Sequence, residues 1–344
     1  TPGTYTVTLT AFDGANTATT NTTITVQDPD AVFAGTNTIC VSSNTTPTAG
    51  ANGCPAGAQT VMQSNFATAV NTYALTNRRV LFKRGDTFSA PTSAAITSTG
   101  PGVIGAFGTG VKPYISMPVI GAWATAIKFF AGDWRVMDLA LDATGSVDQY
   151  GFSVVSAQQQ ITILRVTATN LGHDADFAGT DQLAIVDSDF SLGQVGSGSS
   201  YGLYCGTCTN VMLLGNSMNL NVTLTSHDIR LQGAVKFVVS NNTLTGGLNY
   251  DPITVRGNSS YGVESDNKFI DNTVTINPQN ATSNEAQHDI IIERNWFVAG
   301  PNSSGVLGIQ AVGITVRNNI FYMTGAAIAR AINVGYSNTA GAPM

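Results

Sequence analysis

Charged residues are scarce in this 344-residue chain, since Asp, Glu, Lys and Arg together make up only 10% of it. The 15 Lys and Arg against 21 Asp and Glu give a formal net charge of −6, which leaves no basic face to neutralise a phosphate backbone. Nucleic acid is therefore not an expected partner. No run of roughly 18 apolar residues is present, so no membrane span is expected. The N-terminus lacks the charged and apolar regions of a signal peptide, which indicates a mature or trimmed chain.

The chain is rich in residue types that are typical of β-structure. The chain is 43% hydrophobic and holds 36 glycines. Its solubility depends on Thr, Ser, Asn and Gln rather than on Lys and Glu, which suits strands joined by turns at short intervals. The composition therefore predicts an all-β protein.

Only four cysteines occur, in two pairs close in sequence: Cys40 with Cys54, and Cys205 with Cys208. An even number of local pairs is typical of disulfides in an oxidising compartment, so we expect a secreted or cell-surface protein. The Cys205-Gly-Thr-Cys208 spacing also occurs in redox motifs and zinc sites. No second Cys/His pair and no βαβ pattern accompanies it, which favours a plain disulfide.

Residues 4–10 and 23–26 alternate apolar and polar side chains, as half-buried strands do. Residues 1–28 resemble the last two strands of a PKD domain, an immunoglobulin-like module common in secreted bacterial enzymes. Two strands cannot bury a sandwich core by themselves. The resemblance therefore implies a fragment of a longer precursor, or strands supplied by a neighbouring chain through which the protein self-associates.

Residues 29–77 are interpreted as a linker and an N-terminal cap. Apolar residues spaced as on one helical face predict a helix over 59–76. The strand that follows ends in Arg84-Gly85-Asp86, and a helix followed by such a strand resembles the start of many pectate-lyase-like β-helices. Arg-Gly-Asp is also an integrin-binding triplet, but a strand end is the favoured interpretation.

The second half of the chain is repetitive, and this repeat decides the fold. An apolar strand, a polar position, one residue and a large apolar residue recur together. The polar positions are Thr169, Ser188, Asn216, Asn242, Asn267, Asn295 and Asn319. Their separations of 19, 28, 26, 25, 28 and 24 residues correspond to about one solenoid coil each. Asn tolerates left-handed backbone and can bond to the Asn of the next coil. Because the leucine-rich repeat frame is absent, we predict a right-handed parallel β-helix over residues 78–344.

A second set of strands within the coils has polar side chains at alternate positions. Since side chains alternate between faces, these residues should form one outward stripe along which a sugar chain would lie. The expected outward residues are Arg230, Gln232, Thr254, Arg256, Asn277, Gln310 and Asn333, with Tyr204 on the same strand set.

Loops beside this stripe are expected to carry further polar groups. They comprise His227, Asp228, Asp251, Gln279, Asn280, Asn284 and Glu285. Gln279 and Asn280 are candidate substrate-binding residues, and Asp228, Asp251 and Glu285 are candidate ligands for calcium. Each of the three histidines is followed by Asp, which indicates either an oriented imidazole or merely equivalent points of the solenoid.

The segment Ile253-Thr-Val-Arg256-Gly, followed by Ser265-Asp-Asn-Lys-Phe269, resembles the arginine-containing coil of β-helix lyases of the alginate lyase and chondroitinase B type. The resemblance implies that Arg256 is catalytic. That family has a lysine on the preceding coil, where this chain has Leu231 or Gln232, so the role of base falls to Arg230 or His227.

These residues favour a lyase that acts on an acidic glycan, because β-elimination needs a base and cations beside the substrate carboxylate. Hydrolysis needs two flanking carboxyl groups, and the candidates Asp228, Asp251, Glu264 and Glu285 form no close pair in sequence. The alternative function is a non-catalytic adhesin, carbohydrate-binding stalk or filament subunit. In that case Arg230 and Arg256 would merely pair with Asp228 and Asp251.

Overall fold

A computed structural model describes most of the chain. The described residues are 2–12, 15–118, 124–143, 149–191, 200–220, 226–246, 252–272, 277–278, 287–299, 306–309, 311–323 and 331–334. The first two strands, Gly3–Phe12 and Thr17–Val26, form an antiparallel hairpin. Its apolar side chains, among them Leu9 and Ile24, are exposed. The two predicted strands are therefore present, whereas their assignment to a PKD domain stays a prediction.

Three parallel sheets form a β-helix from the rest of the described chain. The strands of sheet 1 are Ala94–Ile96, Thr125–Phe129, Tyr150–Val154, His173–Ala178, Ser200–Gly206, Ser226–Gln232, Ile253–Arg256 and Asn277–Pro278. The strands of sheet 2 are Thr38–Ser42, Gln59–Met62, Arg78–Lys83, Gly102–Phe107, Trp134–Met137, Gln159–Leu164, Asp181–Val186, Thr209–Leu214, Val235–Ser240, Ser260–Ser265, His288–Glu293 and Ile314–Arg317. The strands of sheet 3 are Thr87–Ser89, Tyr114–Met117, Ala140–Ala143, Thr167–Thr169, Asp189–Ser191, Ser217–Leu220, Thr243–Gly246, Lys268–Asn272, Trp296–Ala299 and Ile320–Met323. A further parallel pair, Leu307–Ile309 with Ile332–Val334, lies near the end of the chain. The predicted parallel β-helix is confirmed.

Inward side chains of successive coils stack into one continuous core. In sheet 2, for example, Val136, Ile163, Ile185 and Leu213 lie in register on adjacent strands and are fully buried. Each coil thus covers the apolar face that its neighbour exposes. Burial of one such side chain contributes roughly 1.5–3 kcal/mol, so the core holds the coils together.

An asparagine ladder lies inside the turn between sheets 2 and 3. Asn216, Asn242, Asn267, Asn295 and Asn319 are linked from coil to coil by Nδ2–Oδ1 bonds of 3.0–3.1 Å. The backbone N–H of each of the first four also donates to the Oδ1 of the next Asn, at 2.9–3.0 Å. The predicted ladder is therefore confirmed.

Two details of the ladder differ from the prediction. The left-handed backbone belongs to the residue before the Asn, such as Asn241 with φ 57° and Asp266 with φ 58°. That residue makes the turn, and the Asn side chain can then point inward. Thr169 is not a ladder position, because its strand pairs Thr167 with Asp189 and so brings the buried Val166 to the level of Ser188.

The helix of the cap is shorter than predicted. It spans Phe66–Tyr73, because Gln59–Met62 is a strand of sheet 2 and Asn65 caps the helix by accepting a bond from the N–H of Thr68 at 2.9 Å. Phe66 packs on Phe82 of the first coils, with ring centroids 4.8 Å apart. The helix therefore covers the N-terminal end of the core. A four-residue helix, Pro29–Val32, and a 3₁₀ turn, Gly35–Asn37, precede it.

Asp86 of the Arg-Gly-Asp triplet is buried at a strand end. Its Oδ2 accepts bonds from the Ser42 hydroxyl at 2.6 Å and the Ser43 N–H at 2.9 Å. Burial alone would raise the pKa of this carboxyl, but these bonds and nearby Lys83 outweigh it and lower the pKa. The triplet is therefore part of the fold.

Both predicted disulfides are present, Cys40–Cys54 and Cys205–Cys208. All four cysteines are buried. The second disulfide joins the end of a sheet 1 strand to the turn before the next strand of sheet 2. No helix among the described ranges is long and apolar enough to cross a membrane.

Candidate functional site

Sheet 1 carries three columns of side chains in register across successive coils, of which the second and third point outward and the first is buried beside them. Ala175, Leu203 and Ile229 are inward and fully buried, so the residues that follow them point outward. The first column is Tyr150, His173, Tyr201 and His227. The second column is Lys128, Ser153, Asp176, Tyr204, Arg230 and Thr254. The third column is Ala178, Gly206, Gln232 and Arg256. Residues of one column sit about 4.8 Å apart along the helix axis.

Aromatic rings contact one another along the first column, and the rings of Tyr201 and His227 are parallel. The ring centroids of Tyr150 and His173 are 4.4 Å apart, those of His173 and Tyr201 are 4.9 Å apart, and those of Tyr201 and His227 are 5.9 Å apart. All four side chains are buried. His227 was predicted in a loop, but it lies in the strand Ser226–Gln232 because the sheet extends further than the alternation indicated. The column forms one wall of the outer face.

Arg230 is held in a fixed orientation at the centre of the second column. Its Nη1 donates to the Tyr201 hydroxyl at 2.6 Å, and its Nη2 donates to Gln232 Oε1 at 2.8 Å. The guanidinium carbon also lies 5.4 Å and 5.5 Å from the ring centroids of Tyr201 and Tyr204. Within the described part of the chain Arg230 forms no ion pair, so the alternative in which it pairs with Asp228 is not found there.

The predicted outward register of the next coil is present, but its exposure is not as expected. Gln232 pairs in register with Arg256, and Arg230 with Thr254, as the alternation requires. Gln232 and Arg256 are half-buried. Thr254, in contrast, has no exposed surface. Thr254 therefore has the predicted register, but a sugar chain cannot reach it because its neighbours cover this part of the face.

Asp176 is the acidic residue of the described outer columns, and the sequence analysis missed it. It lies in register with Tyr204 on one side and Ser153 on the other. Burial raises its pKa from 3.8 to about 6. His173 Nδ1 lies 3.9 Å from its Oδ2. The signal was available, because alternation through Ala175 and Phe177 makes Asp176 outward.

Two further aspartates lie beneath the first column. Asp174 and Asp228 directly follow His173 and His227, and both are buried in strands of sheet 1. Burial raises the pKa of Asp174 well above its ordinary value, and the charges of Asp189 and Asp228 add to the shift. The prediction of Asp228 as a loop residue is wrong, because its strand begins at Ser226. The His-Asp pairs at 173–174 and 227–228 thus each place an imidazole in the buried first column and a buried carboxyl directly after it.

Several predicted site residues cannot be placed. Asp251, Gln279, Asn280, Glu285 and Gln310 lie outside the described residues, as do the side chains of Asn277 and Asn333. The backbone of Asn277 is in register with Thr254.

Calcium binding stays a prediction, because two of its three expected ligands lie outside the described ranges. Among the residues that are described, no three His, Cys, Asp or Glu side chains form a group able to hold a metal ion.

Glu264, a candidate for hydrolysis, is not on the outer face. It lies between Val239 and Ile292 inside sheet 2 and has no exposed surface. Burial raises its pKa from 4.5 to about 8. Neither of its carboxyl oxygens has a hydrogen-bond partner in the described structure. Contact with a glycan is therefore excluded for this residue.

No family model and no curated protein matches this chain. Several solved structures do match it. An alginate lyase from Paenibacillus sp. str. FPU-7 is 15% identical with a TM-score of 0.60, over 78% of this chain and 97% of the other. A GH136 lacto-N-biosidase from Eubacterium ramulus is 12% identical with a TM-score of 0.54, over 86% and 68%. A DFA-IIIase from Arthrobacter chlorophenolicus A6 is 13% identical with a TM-score of 0.50, over 85% and 86%. At these identities the likeness concerns the fold alone, and this chain shares with them the parallel β-helix.

Proposed function

We propose that this chain is a secreted, polysaccharide-active protein that binds an acidic glycan along the outer face of sheet 1 and cleaves it by β-elimination. The observation that carries the proposal is the orientation of Arg230, which is fixed by Tyr201 and Gln232 and has no described ion pair. An arginine held by neutral partners keeps its charge available for a ligand.

The chemistry of the guanidinium favours an anionic substrate. Of its five N–H donors, two bind Tyr201 and Gln232, which leaves three. The Nε–H is buried and has no described hydrogen-bond partner. A carboxylate would accept two parallel bonds from such a group, which a neutral sugar hydroxyl cannot do. Arg256, one coil further and next to Gln232, extends the cationic surface to a second sugar unit.

The carboxyl groups favour elimination over hydrolysis. Hydrolysis needs two carboxyl groups that flank the scissile bond. Asp176 is the one carboxyl in the described outer columns, because Asp174, Asp228 and Glu264 are buried. Elimination needs one base and a cation that stabilises the charge on the substrate carboxylate. Calcium held by Asp251 and Glu285 remains a proposed supplement to that charge, whereas the carboxyl of Asp228 and the imidazole of His227 are buried.

A panel of uronate-containing and neutral polysaccharides tests the proposal. We expect the wild-type protein to bind the uronate polymers and to release products with the ultraviolet absorbance of an unsaturated uronate. Binding is measured by calorimetry on short oligosaccharides, with neutral oligosaccharides of equal length as the control. Cleavage that yields only saturated reducing ends would replace elimination with hydrolysis, and equal affinity for neutral chains would overturn the acidic substrate.

A non-catalytic adhesin or filament subunit is the second candidate, and the hairpin favours it. Tyr5, Val7, Leu9 and Ile24 are 44–66% exposed, an apolar face typical of strands that pack on something else. In this case the chain would assemble through its PKD-like strands and bind glycan without cleaving it. Sedimentation of the whole chain and of a chain lacking residues 1–28 distinguishes the cases, since only assembly requires the hairpin.

A further inference from the structure

Three residues of the second column lie next to one another on successive coils of sheet 1. Asp176 pairs in register with Tyr204, and Tyr204 pairs in register with Arg230. A carboxyl, a phenol and a guanidinium thus follow each other at intervals of about 4.8 Å along one face. The buried tyrosines and histidines of the first column border them on one side. Lys128, Ser153 and Asp176 form a similar run on the other side of Asp176, but a serine hydroxyl is a much weaker acid than the phenol of Tyr204.

We infer that Asp176 is the general base and Tyr204 the general acid of the proposed elimination, with Arg230 binding the carboxylate of the sugar that loses its proton. This inference rests on the proposed function and assigns the proton transfers to residues that the resemblance to other lyases does not indicate. All three would be catalytic residues, because each would contact the substrate.

The reaction balances without a co-reactant. The Asp176 carboxylate takes the proton next to the sugar carboxylate while Arg230 stabilises the developing negative charge. The electron pair of that C–H bond forms the new C=C bond, and the glycosidic C–O bond breaks. The leaving oxygen takes the phenolic proton of Tyr204. The proton on Asp176 then passes to the Tyr204 phenolate on the adjacent strand, which restores both residues.

The surroundings of Asp176 suit a base. No described hydrogen bond holds its carboxyl, and its side chain is 28% exposed, so a substrate can reach it. Burial raises its pKa to about 6, which is closer to neutral pH than an ordinary aspartate and makes it a stronger base. The titratable groups nearest to it in the sheet are His173 on its own strand, Tyr150 on one neighbouring strand and Tyr201 and Tyr204 on the other, with the charged groups of Lys128 and Arg230 two coils away in the same column.

Asp176→Asn and Tyr204→Phe test the assignment in the full chain. Each should lower kcat on a cleavable uronate polymer by roughly 10²–10⁴-fold, the usual contribution of a general acid or base. Affinity for an uncleaved uronate oligosaccharide should stay within about twofold, because Arg230 is retained. Asp289→Asn is the matched control, since Asp289 is exposed on sheet 2, away from the columns.

The pH profile separates a base from a structural residue. Because the base must be ionised, wild-type kcat/KM should fall as the pH drops below about 6. The residual activity of Asp176→Asn should lack that limb, although its melting temperature matches that of the wild type. If the wild type releases unsaturated product and either variant keeps more than about a tenth of the turnover, the assignment is wrong while the proposed function stands. If the wild type releases none from any uronate polymer, both are wrong.

Discussion

The turn between sheets 2 and 3 and the outer face of sheet 1 use the same coil repeat in opposite ways. In the turn, one residue type recurs with the same bonds from Asn216 to Asn319. On the outer face, each coil adds a different group, so that Asp176, Tyr204 and Arg230 follow one another. A side chain that recurs in every coil satisfies a structural requirement common to all coils. A group that occurs in one coil only is not required by the repeat, so it is a candidate for contact with a ligand. In a solenoid, the positions that break the repeated pattern are therefore the candidates for a functional site.

Removal of one ladder asparagine should have the largest effect. Asn267 is 1% exposed, and its side chain makes four bonds, to Asn242 twice, to Val239 and to Asn295. Asn267→Ala leaves buried donors and acceptors unpaired, so we expect the free energy of unfolding to fall by roughly 3–5 kcal/mol. Urea denaturation followed by circular dichroism measures it.

Asn21→Ala on the exposed hairpin is the control, and it should change the free energy of unfolding by at most about 0.5 kcal/mol. If Asn267→Ala lowered the free energy of unfolding by less than about 1 kcal/mol, the bonds of the ladder would not stabilise the turn.

The repeated part of the fold could be predicted from the sequence for the same reason that it is stable. Asn242, Asn267, Asn295 and Asn319 recur about once per coil, at separations of 25, 28 and 24 residues, and the alternation around them assigns the inward residues. The helix boundary could not be predicted, because Gln59–Met62 has apolar spacing that fits a helix as well as a strand, and its pairing with Thr38–Ser42 decides between them.

The candidate site was predictable only in part. Alternation correctly placed Arg230 and Arg256 on one face, because both lie in regular strands. It could not show that neighbouring side chains cover Thr254, since burial depends on the whole face. Alternation also assigns Asp176 to the second column, but no arginine-containing motif surrounds it in the sequence, so it was not among the predicted site residues.

Glu264 is a buried acid among the apolar residues of the core, and its replacement by an apolar residue should stabilise the protein. The pKa of Glu264 is raised from 4.5 to about 8, so folding favours its protonated form. The folded state therefore loses stability as the pH rises from about 4.5 to about 8. At pH 7 Glu264→Leu should raise the free energy of unfolding by about 3 kcal/mol, because Leu continues the column of Val239 and Ile292 without a charge to bury.

Thermal unfolding of wild type and Glu264→Leu at pH 4 and pH 8 measures this effect. The gap between the two proteins should widen at pH 8, where the wild-type carboxyl ionises. A Glu264→Leu protein that melts below the wild type at pH 8 would show that this acid has a partner which stabilises its charge.

Arg230 should matter for binding and little for stability. Arg230→Gln removes the charge that a uronate carboxylate would contact, so its affinity for an acidic oligosaccharide should fall by about 1.5–3 kcal/mol, or roughly 10–150-fold. Calorimetric titration measures the change. Arg135→Gln, on the outer face of sheet 2 beside Asp133, is the control and should bind as the wild type does. If both variants lost the same affinity, long-range electrostatic attraction to the protein, rather than contact with Arg230, would explain the binding.

The smallest expected effect comes from the residue that orients Arg230. Gln232 accepts a bond from Arg230 Nη2 at 2.8 Å, and Gln232→Glu keeps this geometry while it replaces a neutral acceptor with a carboxylate. The new carboxylate would pair with the guanidinium and compete with the substrate for it. Affinity for an acidic oligosaccharide should therefore fall by about 1 kcal/mol, or roughly fivefold, while the affinity for a neutral oligosaccharide stays the same. The melting temperature should stay level or rise slightly, since the half-buried pair gains an ion pair. If Gln232→Glu binds the acidic chain as tightly as the wild type does, the substrate carboxylate does not contact Arg230, and the irregular face of sheet 1 must recognise its ligand elsewhere.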